Sequence, residues 1–163
     1  NYTEKDEYIV QICGSYRREK ITSNDIDVVI TKKGKYDEEE NYLKSFIKKL
    51  KKDNKLNNDK PLLVDDMTDK NIKTKYMGFL KYKKNPVRRI DIRFIPYESY
   101  YYALLYFTGS KELNKKMRQI AKNKGYTLSE YELVDKKGKR YIAKSEKDIF
   151  KKLGLEYLPP KLR

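Results

Sequence analysis

The sequence contains no histidine and only one cysteine, Cys13, among its 163 residues. Without histidine, neither a Ser-His-Asp triad nor a Cys-His pair can form. A single cysteine makes no internal disulfide and leaves no zinc motif. Any bound metal must therefore be held by carboxylates, which favour a hard cation such as Mg²⁺ or Mn²⁺.

The chain also lacks a long apolar run, a signal peptide and a strongly amphipathic basic helix. We therefore expect an intracellular protein, in the nucleus, the cytoplasm or a virion, rather than a secreted one. Hydrophobic residues make up 38% of the sequence, below the ~45–50% that is usual for globular chains. The 16 tyrosines and 5 phenylalanines still provide enough apolar area for a small core.

Positive charge is what the sequence has in excess. Lys and Arg number 39 against 24 Asp and Glu, which gives a net charge of +15. Such a field attracts polyanions and accelerates their encounter with the protein in a salt-dependent way. Lysines that serve solubility alone, or a membrane surface, are the alternative explanations. Nucleic acid is the partner that the composition favours.

Hydrophobic periodicity predicts an α+β front lobe over residues 1–96. Strands are expected at residues 8–13, which enter a tight loop at Gly14-Ser15, and at 26–31. A helix over 37–52 would have an acidic first turn and an apolar stripe, and a polar loop would follow over 53–61. Further strands are expected at 62–64, 73–83 and 87–95, the last two as a hairpin with Pro86 in its turn.

The back lobe, residues 97–163, is predicted to be helical with a small β-hairpin. Helices are expected over 97–107 and 111–124, with Gly125 as the C-terminal cap of the second. A hairpin would join 133–135 to 140–143. A capping box at Ser145 predicts a last short helix before Gly154.

Two strands carry acidic residues in an alternating pattern. Asp25 and Asp27 project from one face of the first, and Asp91 projects between apolar neighbours in the second. If these strands are neighbours, three carboxylates gather on one sheet face. Their repulsion would be relieved by two divalent ions, which supply phosphoryl-transfer chemistry. A half-exposed structural strand shows the same alternation, so the motif becomes specific only through what precedes it.

The segment before these aspartates is Gly14-Ser-Tyr-Arg-Arg18, directly after the first strand. Glycine lets the backbone approach a phosphate, serine offers a hydroxyl, and arginine makes charge-assisted bonds to phosphate oxygens. Together with Asp25 and Asp27, this segment predicts a triphosphate-binding loop beside a metal site.

The sequence resembles the DNA polymerase X family, whose best-known member is DNA polymerase beta. The resemblance rests on six blocks spread over nearly the whole chain: Cys13-Gly-Ser-Tyr-Arg-Arg18, Asp25-Ile-Asp-Val-Val-Ile-Thr31, Arg88-Arg-Ile-Asp-Ile-Arg93, Tyr106-Phe-Thr-Gly-Ser110, Gly125-Tyr-Thr-Leu-Ser-Glu-Tyr131 and Leu153-Gly-Leu-Glu-Tyr157. It implies an α+β fold, with a nucleotidyltransferase palm of mixed sheet and helices over 1–96 and a small thumb over 97–163. No lyase or helix-hairpin-helix domain is expected before Asn1, as in the minimal virus-encoded members.

The resemblance implies that Asp25, Asp27 and Asp91 are the catalytic metal ligands, the first two bridging both Mg²⁺ ions. It implies nucleotide contacts for seven further residues: Gly14, Ser15, Arg18, Tyr106, Phe107, Gly109 and Asn114. It implies DNA-binding or conformational roles for another six: Arg89, Arg93, Lys115, Arg118, Glu130 and Tyr131. Arg93 and Glu130 would form an ionic switch as the back lobe closes over the nucleotide.

Two residues depart from the family pattern. Glu19 stands where a glycine is common, and Lys111 stands where an acidic or neutral residue often lies beside the nucleotide. Either change could alter nucleotide affinity or fidelity.

The expected function is template-directed addition of dNMP to a primer 3′-OH, filling short gaps in DNA repair. The expected partners are gapped or primed DNA and a dNTP, bound by a monomer. Untemplated addition, as in terminal transferases, uses the same catalytic residues and stays open. A non-catalytic DNA-end-binding module would need a broken aspartate triad, and all three aspartates are present.

Overall fold

The computed structural model describes residues 8–34, 37, 39–52, 57–67 and 73–163. It separates into two compact units. The first includes the strand that ends at Ile12 and Asn24–Phe94, and the second comprises Cys13–Ser23 and Ile95–Arg163. The segment that carries Gly14 and Arg18 thus packs with the back of the chain.

The first unit is a mixed five-stranded sheet. Its strands are β1 (Tyr8–Ile12), β2 (Asp25–Lys32), β3 (Leu63–Asp66), β4 (Lys75–Leu80) and β5 (Arg88–Phe94). They lie in the order β1-β2-β5-β4-β3. β2 and β5 are parallel, whereas the other neighbouring pairs are antiparallel. The predicted strands and the β4–β5 hairpin are confirmed, with ends shifted by up to three residues.

One helix, α2 (Tyr42–Lys52), covers this sheet. Leu43 and Ile47 are buried in a core cluster with Ile30, Ile92 and Phe94 from the strands. The apolar stripe was therefore predicted correctly, but the start of the helix at residue 37 is wrong. The first turn contains no acidic residue. Instead, the Asn41 side chain accepts a hydrogen bond from the Lys44 N–H at 2.9 Å, which satisfies a donor at the start of the helix.

The predicted polar loop over 53–61 lies partly outside the described residues. Its described end is a turn around Asn57, which is buried. The Asn57 amide donates to the carbonyls of Pro61 at 3.0 Å and Lys81 at 2.9 Å. The turn is thereby fastened to the chain just before β3 and just after β4.

The second unit begins with α1 (Gly14–Arg17). Its other helices are α3 (Tyr100–Thr108), α4 (Lys111–Asn123) and α5 (Glu146–Lys152), with short 3₁₀ turns at Tyr97–Ser99 and Pro160–Leu162. A three-stranded antiparallel sheet comprises β6 (Tyr126–Leu128), β7 (Leu133–Asp135) and β8 (Arg140–Tyr141). The predicted helices and hairpin are confirmed, and Ser145 caps α5 as expected.

Two elements of the second unit were not predicted. Residues after Cys13 form one helical turn, α1, instead of the expected loop. The chain enters it at Gly14, whose φ of +61° is in the left-handed region that glycine adopts most easily. β6 is only three residues long, and it is a strand because it pairs with β7 through Leu128 and Leu133. In the described part of the chain, no helix combines the length and apolar content needed to cross a bilayer.

A buried ionic cluster ties α1 to α5 and to Arg163. Arg17 donates two hydrogen bonds to the Glu146 carboxylate, at 3.0 and 2.7 Å, and Arg163 donates one at 2.7 Å. Glu146 is 6% exposed and the Arg163 side chain 0%. Burial alone would raise the pKa of Glu146, but the bonds from Arg17 and Arg163 outweigh it and hold that pKa below its ordinary value. The cluster therefore stabilises the charged carboxylate.

The Glu146→Gln variant should unfold more easily at pH 7, by about 3 kcal/mol, because it leaves two guanidinium groups without their buried counter-charge. The pKa of Glu146 is lowered in the folded state. Its contribution to stability is therefore complete above the ordinary pKa of 4.5 and is lost as pH falls through the lower folded value. Urea unfolding between pH 3 and 7 measures this effect. The control is Glu156→Gln, which changes an exposed carboxylate of the same unit; equal losses in the two variants would contradict the role of the cluster.

Candidate active site

The acidic residues of β2 and β5 lie on one face of the sheet. The two strands pair in parallel, with Asp27 opposite Asp91 and Asp25 opposite Arg89. Residues opposite each other in a sheet point to the same face, and alternate residues along a strand share it. The expected adjacency of these strands is confirmed. The opposite face carries Val28, Ile30 and other apolar residues of the core.

A single arginine lies between two of these carboxylates. Arg89 Nη2 is 3.2 Å from Asp25 Oδ2 and 3.2 Å from Asp91 Oδ2. Since β5 places Arg89 on the same face as Asp91 and opposite Asp25, the bridge follows from the strand register. The guanidinium offsets the repulsion between the two acids.

The donor set suits a hard cation, although the acids are not arranged around one. Asp91 Oδ1 is buried and has no hydrogen-bond partner, so this carboxylate retains an oxygen that is free to coordinate. Carboxylate oxygens are the ligands that Mg²⁺ prefers. Among the described residues, no group of three metal-binding side chains is close enough to hold an ion. To bind a metal ion with more than the Asp91 Oδ1 atom, the site would have to release Asp25 Oδ2 and Asp91 Oδ2 from Arg89.

In the second unit, the Gly14–Arg18 segment is fastened to the end of α3. Arg18 Nη1 donates to the Thr108 carbonyl at 2.6 Å, and Arg17 Nη1 donates to the Thr108 hydroxyl at 2.6 Å. Arg18 Nε is buried and has no hydrogen-bond partner. Ser15 Oγ donates to Ser23 Oγ at 2.6 Å. The arrangement holds a serine hydroxyl and an unsatisfied guanidinium donor on one short turn.

Gly109 lets the chain turn sharply between α3 and α4. Its φ of +72° is in the left-handed region, which disfavours side chains. A Cβ at this position would also lie 3.1 Å from Arg18 Nη1. A larger residue would therefore both strain the turn and displace Arg18.

The aromatic pair at the end of α3 meets the polar face of α4. The Tyr106 and Phe107 rings pack edge to face, with centroids 5.0 Å apart. Asn114 Nδ2 donates to the Tyr106 carbonyl at 2.8 Å, and the Arg118 guanidinium lies 4.9 Å from the Tyr106 ring centroid. Asn114 and Arg118 thus share one helix face, as their spacing predicts. They border a crevice of about 10 Å³, roughly the space for one water.

The remaining predicted residues divide between the units. Arg118 and Glu130 form an ion pair at 3.8 Å. Tyr131 is 46% exposed, and its carbonyl accepts a hydrogen bond from Arg140. Lys115 is exposed on α4, whereas Arg93 lies on β5, in the first unit. The proposed switch between Arg93 and Glu130 would join the two units and stays a prediction.

The sequence did not indicate what three residues of this region do. Arg17 lies in the segment that is predicted to bind phosphate, and its guanidinium donates to Glu146 and Thr108. Thr108 anchors both arginines, and its place directly before Gly109 was the available signal. The sequence pattern around Glu146 indicated only the start of a helix, and not a buried ion pair.

The backbone conformation at Glu19 is one that suits the glycine expected there. Its φ of +56° is in the left-handed region, which glycine adopts most easily. A glycine at this position would therefore be less strained. The Glu19 carboxylate pairs with Lys161 at 3.3 Å, on the exposed surface.

Comparison with known proteins agrees with this geometry. The family model of the DNA polymerase beta palm matches residues 2–97, and that of the DNA polymerase beta thumb matches residues 103–163. DNA polymerase lambda of Rattus norvegicus is 34% identical over 164 residues, which cover 91% of this chain and 27% of the relative. DNA polymerase lambda of Arabidopsis thaliana is 33% identical over 164 residues, covering 91% and 31%.

A third relative, the DNA nucleotidylexotransferase of Xenopus laevis, is 43% identical over 74 residues, covering 44% of this chain and 15% of the relative. The chain spans about three tenths of the length of the two polymerases. Palm and thumb models together match nearly all of its residues, and the aspartate-bearing strands are neighbours. The chain therefore belongs to the DNA polymerase X family, as a palm and thumb of the DNA polymerase beta type.

Proposed function

We propose that the chain is a template-directed DNA polymerase that adds dNMP to a primer 3′-OH and fills short gaps in DNA repair. The observation that carries the proposal is the register of β2 and β5, which aligns Asp25, Asp27 and Asp91 on one face. The decisive test is single-nucleotide gap filling with each dNTP in turn, in the presence of Mg²⁺.

Asp25, Asp27 and Asp91 would hold the two Mg²⁺ ions, for which Mn²⁺ can substitute. When bound, the ions neutralise phosphate charge and lower the pKa of the primer 3′-OH. Asp91 Oδ1, which is buried and has no hydrogen-bond partner, suits this task. Arg89 contacts Asp25 and Asp91 at 3.2 Å each. If these carboxylates held metal, the Arg89 side chain would turn away and become available to a DNA phosphate.

In the reaction, the primer 3′ oxygen forms a bond to the α-phosphorus as the bond to the pyrophosphate oxygen breaks. The protein contributes mainly by positioning. We assign the β- and γ-phosphates to Gly14, Ser15 and Arg18. The unsatisfied Nε of Arg18 supports this assignment, because a phosphate oxygen would give it an acceptor.

The sugar and base would lie against the end of α3 and the polar face of α4. Tyr106 and Phe107 would contact the deoxyribose, where a 2′-OH would clash, and Gly109 would let the backbone approach. Asn114 would read the incoming base, whereas Arg118 would read the template. The contacts of both side chains to Tyr106 support a single recognition surface.

Closure would follow binding of the nucleotide. Glu130 would exchange Arg118 for Arg93, which frees Arg118 to reach the template. Tyr131 and Lys115 are exposed and would contact DNA. The net charge of +15 would raise the affinity of a monomeric chain for gapped or primed DNA.

Untemplated addition is the second candidate. It is favoured by the 43% identity over 74 residues to a DNA nucleotidylexotransferase. A non-catalytic DNA-end-binding module is disfavoured because all three aspartates are present. Extension of matched against mismatched or absent templates separates the two enzymatic functions.

The Asp91→Asn variant should lose nucleotide incorporation while its DNA affinity stays the same or rises, since a metal ligand and a negative charge are removed together. Single-turnover gap filling and DNA titration measure the two effects. Asp59→Asn is the matched control, because Asp59 is exposed and its φ of +61° is one that asparagine tolerates. Normal turnover by Asp91→Asn would refute the assignment.

The Arg118→Ala variant should lower templated insertion by about tenfold or more, while sequence-independent DNA binding changes little, because one guanidinium orients the template. The control is Lys116→Ala, an exposed cation on the same helix. Gap-filling rates on matched templates, compared with affinity for primed duplex, measure the separation. Comparable losses in insertion and binding would contradict a template-reading role.

A further inference from the structure

The second unit carries an open groove away from the residues assigned to the nucleotide. It has a volume of about 530 Å³. Its walls are the end of α4 with Asn123 and Lys124, the start of β6 with Gly125 and Tyr126, and the β7–β8 turn over Asp135, Lys136 and Lys137. We call this the lysine groove.

The lysine groove is electropositive because three lysines line it and only one acidic residue, Asp135, does. Asp135 Oδ1 accepts hydrogen bonds from the N–H groups of Lys137 at 2.8 Å and Lys139 at 2.9 Å. That carboxylate therefore closes the turn. Lys152 adds a further cation beside the Tyr126 wall, with its Nζ 5.3 Å from the ring centroid.

Two of these lysines lie against glycine backbone. A Cβ at Gly125 would be 3.3 Å from Lys136 Cε, and one at Gly154 would be 3.0 Å from Lys124 Nζ. Glycines with φ of +77° and +70° thus leave the room in which these side chains lie. The C-terminal end of α4 also favours positive charge at Lys124. Both ammonium groups therefore lie close to the backbone at the edge of the groove and remain exposed to a ligand.

We propose that the lysine groove binds the phosphodiester backbone of DNA, as a contact surface separate from the nucleotide site. Three exposed ammonium groups, the Asn123 amide and a tyrosine suit successive phosphates and sugars. The groove lies ten residues along α4 from Asn114, about 15 Å, or roughly four base-pair steps of duplex axis. The choice of DNA rests on the proposed function, whereas the groove and its charge do not.

The test compares two triple variants that each remove three positive charges. The groove variant replaces Lys124, Lys136 and Lys137 by glutamine, and the control variant replaces Lys116, Lys144 and Lys147, which lie outside the groove. Fluorescence anisotropy with a primed duplex, without dNTP, measures affinity from low to high salt.

The slope of log K against log salt should decrease by about 2 to 3 in the groove variant, with about tenfold or more loss of affinity at low salt. The control should change the slope by less than about one. Equal losses in both triples would show that only net charge matters and would overturn the proposal. Unchanged binding by the groove variant would do so too.

A third variant guards against unfolding as the cause. Arginine at Lys124, Lys136 and Lys137 keeps the charge and should restore the slope, and a failure to restore it would count against phosphate binding. Gap filling by the wild type is measured in parallel. If the wild type is inert but the groove variant loses DNA affinity, the proposed function fails and the lysine groove stands. If the wild type is active and the groove variant binds DNA unchanged, the groove proposal fails and the proposed function stands.

Discussion

The register of β2 and β5 is the constraint on which the candidate site depends. Parallel pairing puts Asp27 directly opposite Asp91, although like charges in that relation destabilise a sheet. Apolar burial offsets this cost on the other face, where Val28, Ile30 and Ile92 pack in the core. The packing of the hydrophobic face therefore fixes the register, and this register places the aspartates close together on the other face. Arg89 offsets part of the repulsion at Asp91, and a bound cation would offset more of it.

Alternation along a strand identified which residues share a face, and this part of the site could be read from the sequence. Asp25, Asp27 and Asp91 follow the period of two. The pairing of their strands could not be derived in this way, because 64 positions of chain separate Asp27 from Asp91 and register depends on tertiary packing. Family resemblance supplied that link. The Arg89 bridge follows from the same register, so it could not be derived from the sequence before the pairing was known.

Local elements were missed where they are too short to show a period. α1 has four residues and β6 has three, less than the window over which apolar spacing is informative. Contacts with other elements hold both: β6 pairs with β7, and Arg17 of α1 donates to Thr108 of α3. The start of α2 was placed too early because an acidic run resembles a helix N-terminus. The Asn41 side chain supplies the cap that sets the actual start.

Arginines and lysines have different roles among the positively charged residues of this chain. Two arginines each contact two groups: Arg17 contacts Thr108 and Glu146, and Arg89 contacts Asp25 and Asp91. Arg18 donates to the Thr108 carbonyl. A planar guanidinium with five donors can hold such geometry, whereas an ammonium on a flexible stem cannot. Lys136 and Lys137 instead remain exposed. Changes at arginine should therefore alter the arrangement of the site, and changes at lysine should alter mainly the salt-dependent attraction of DNA.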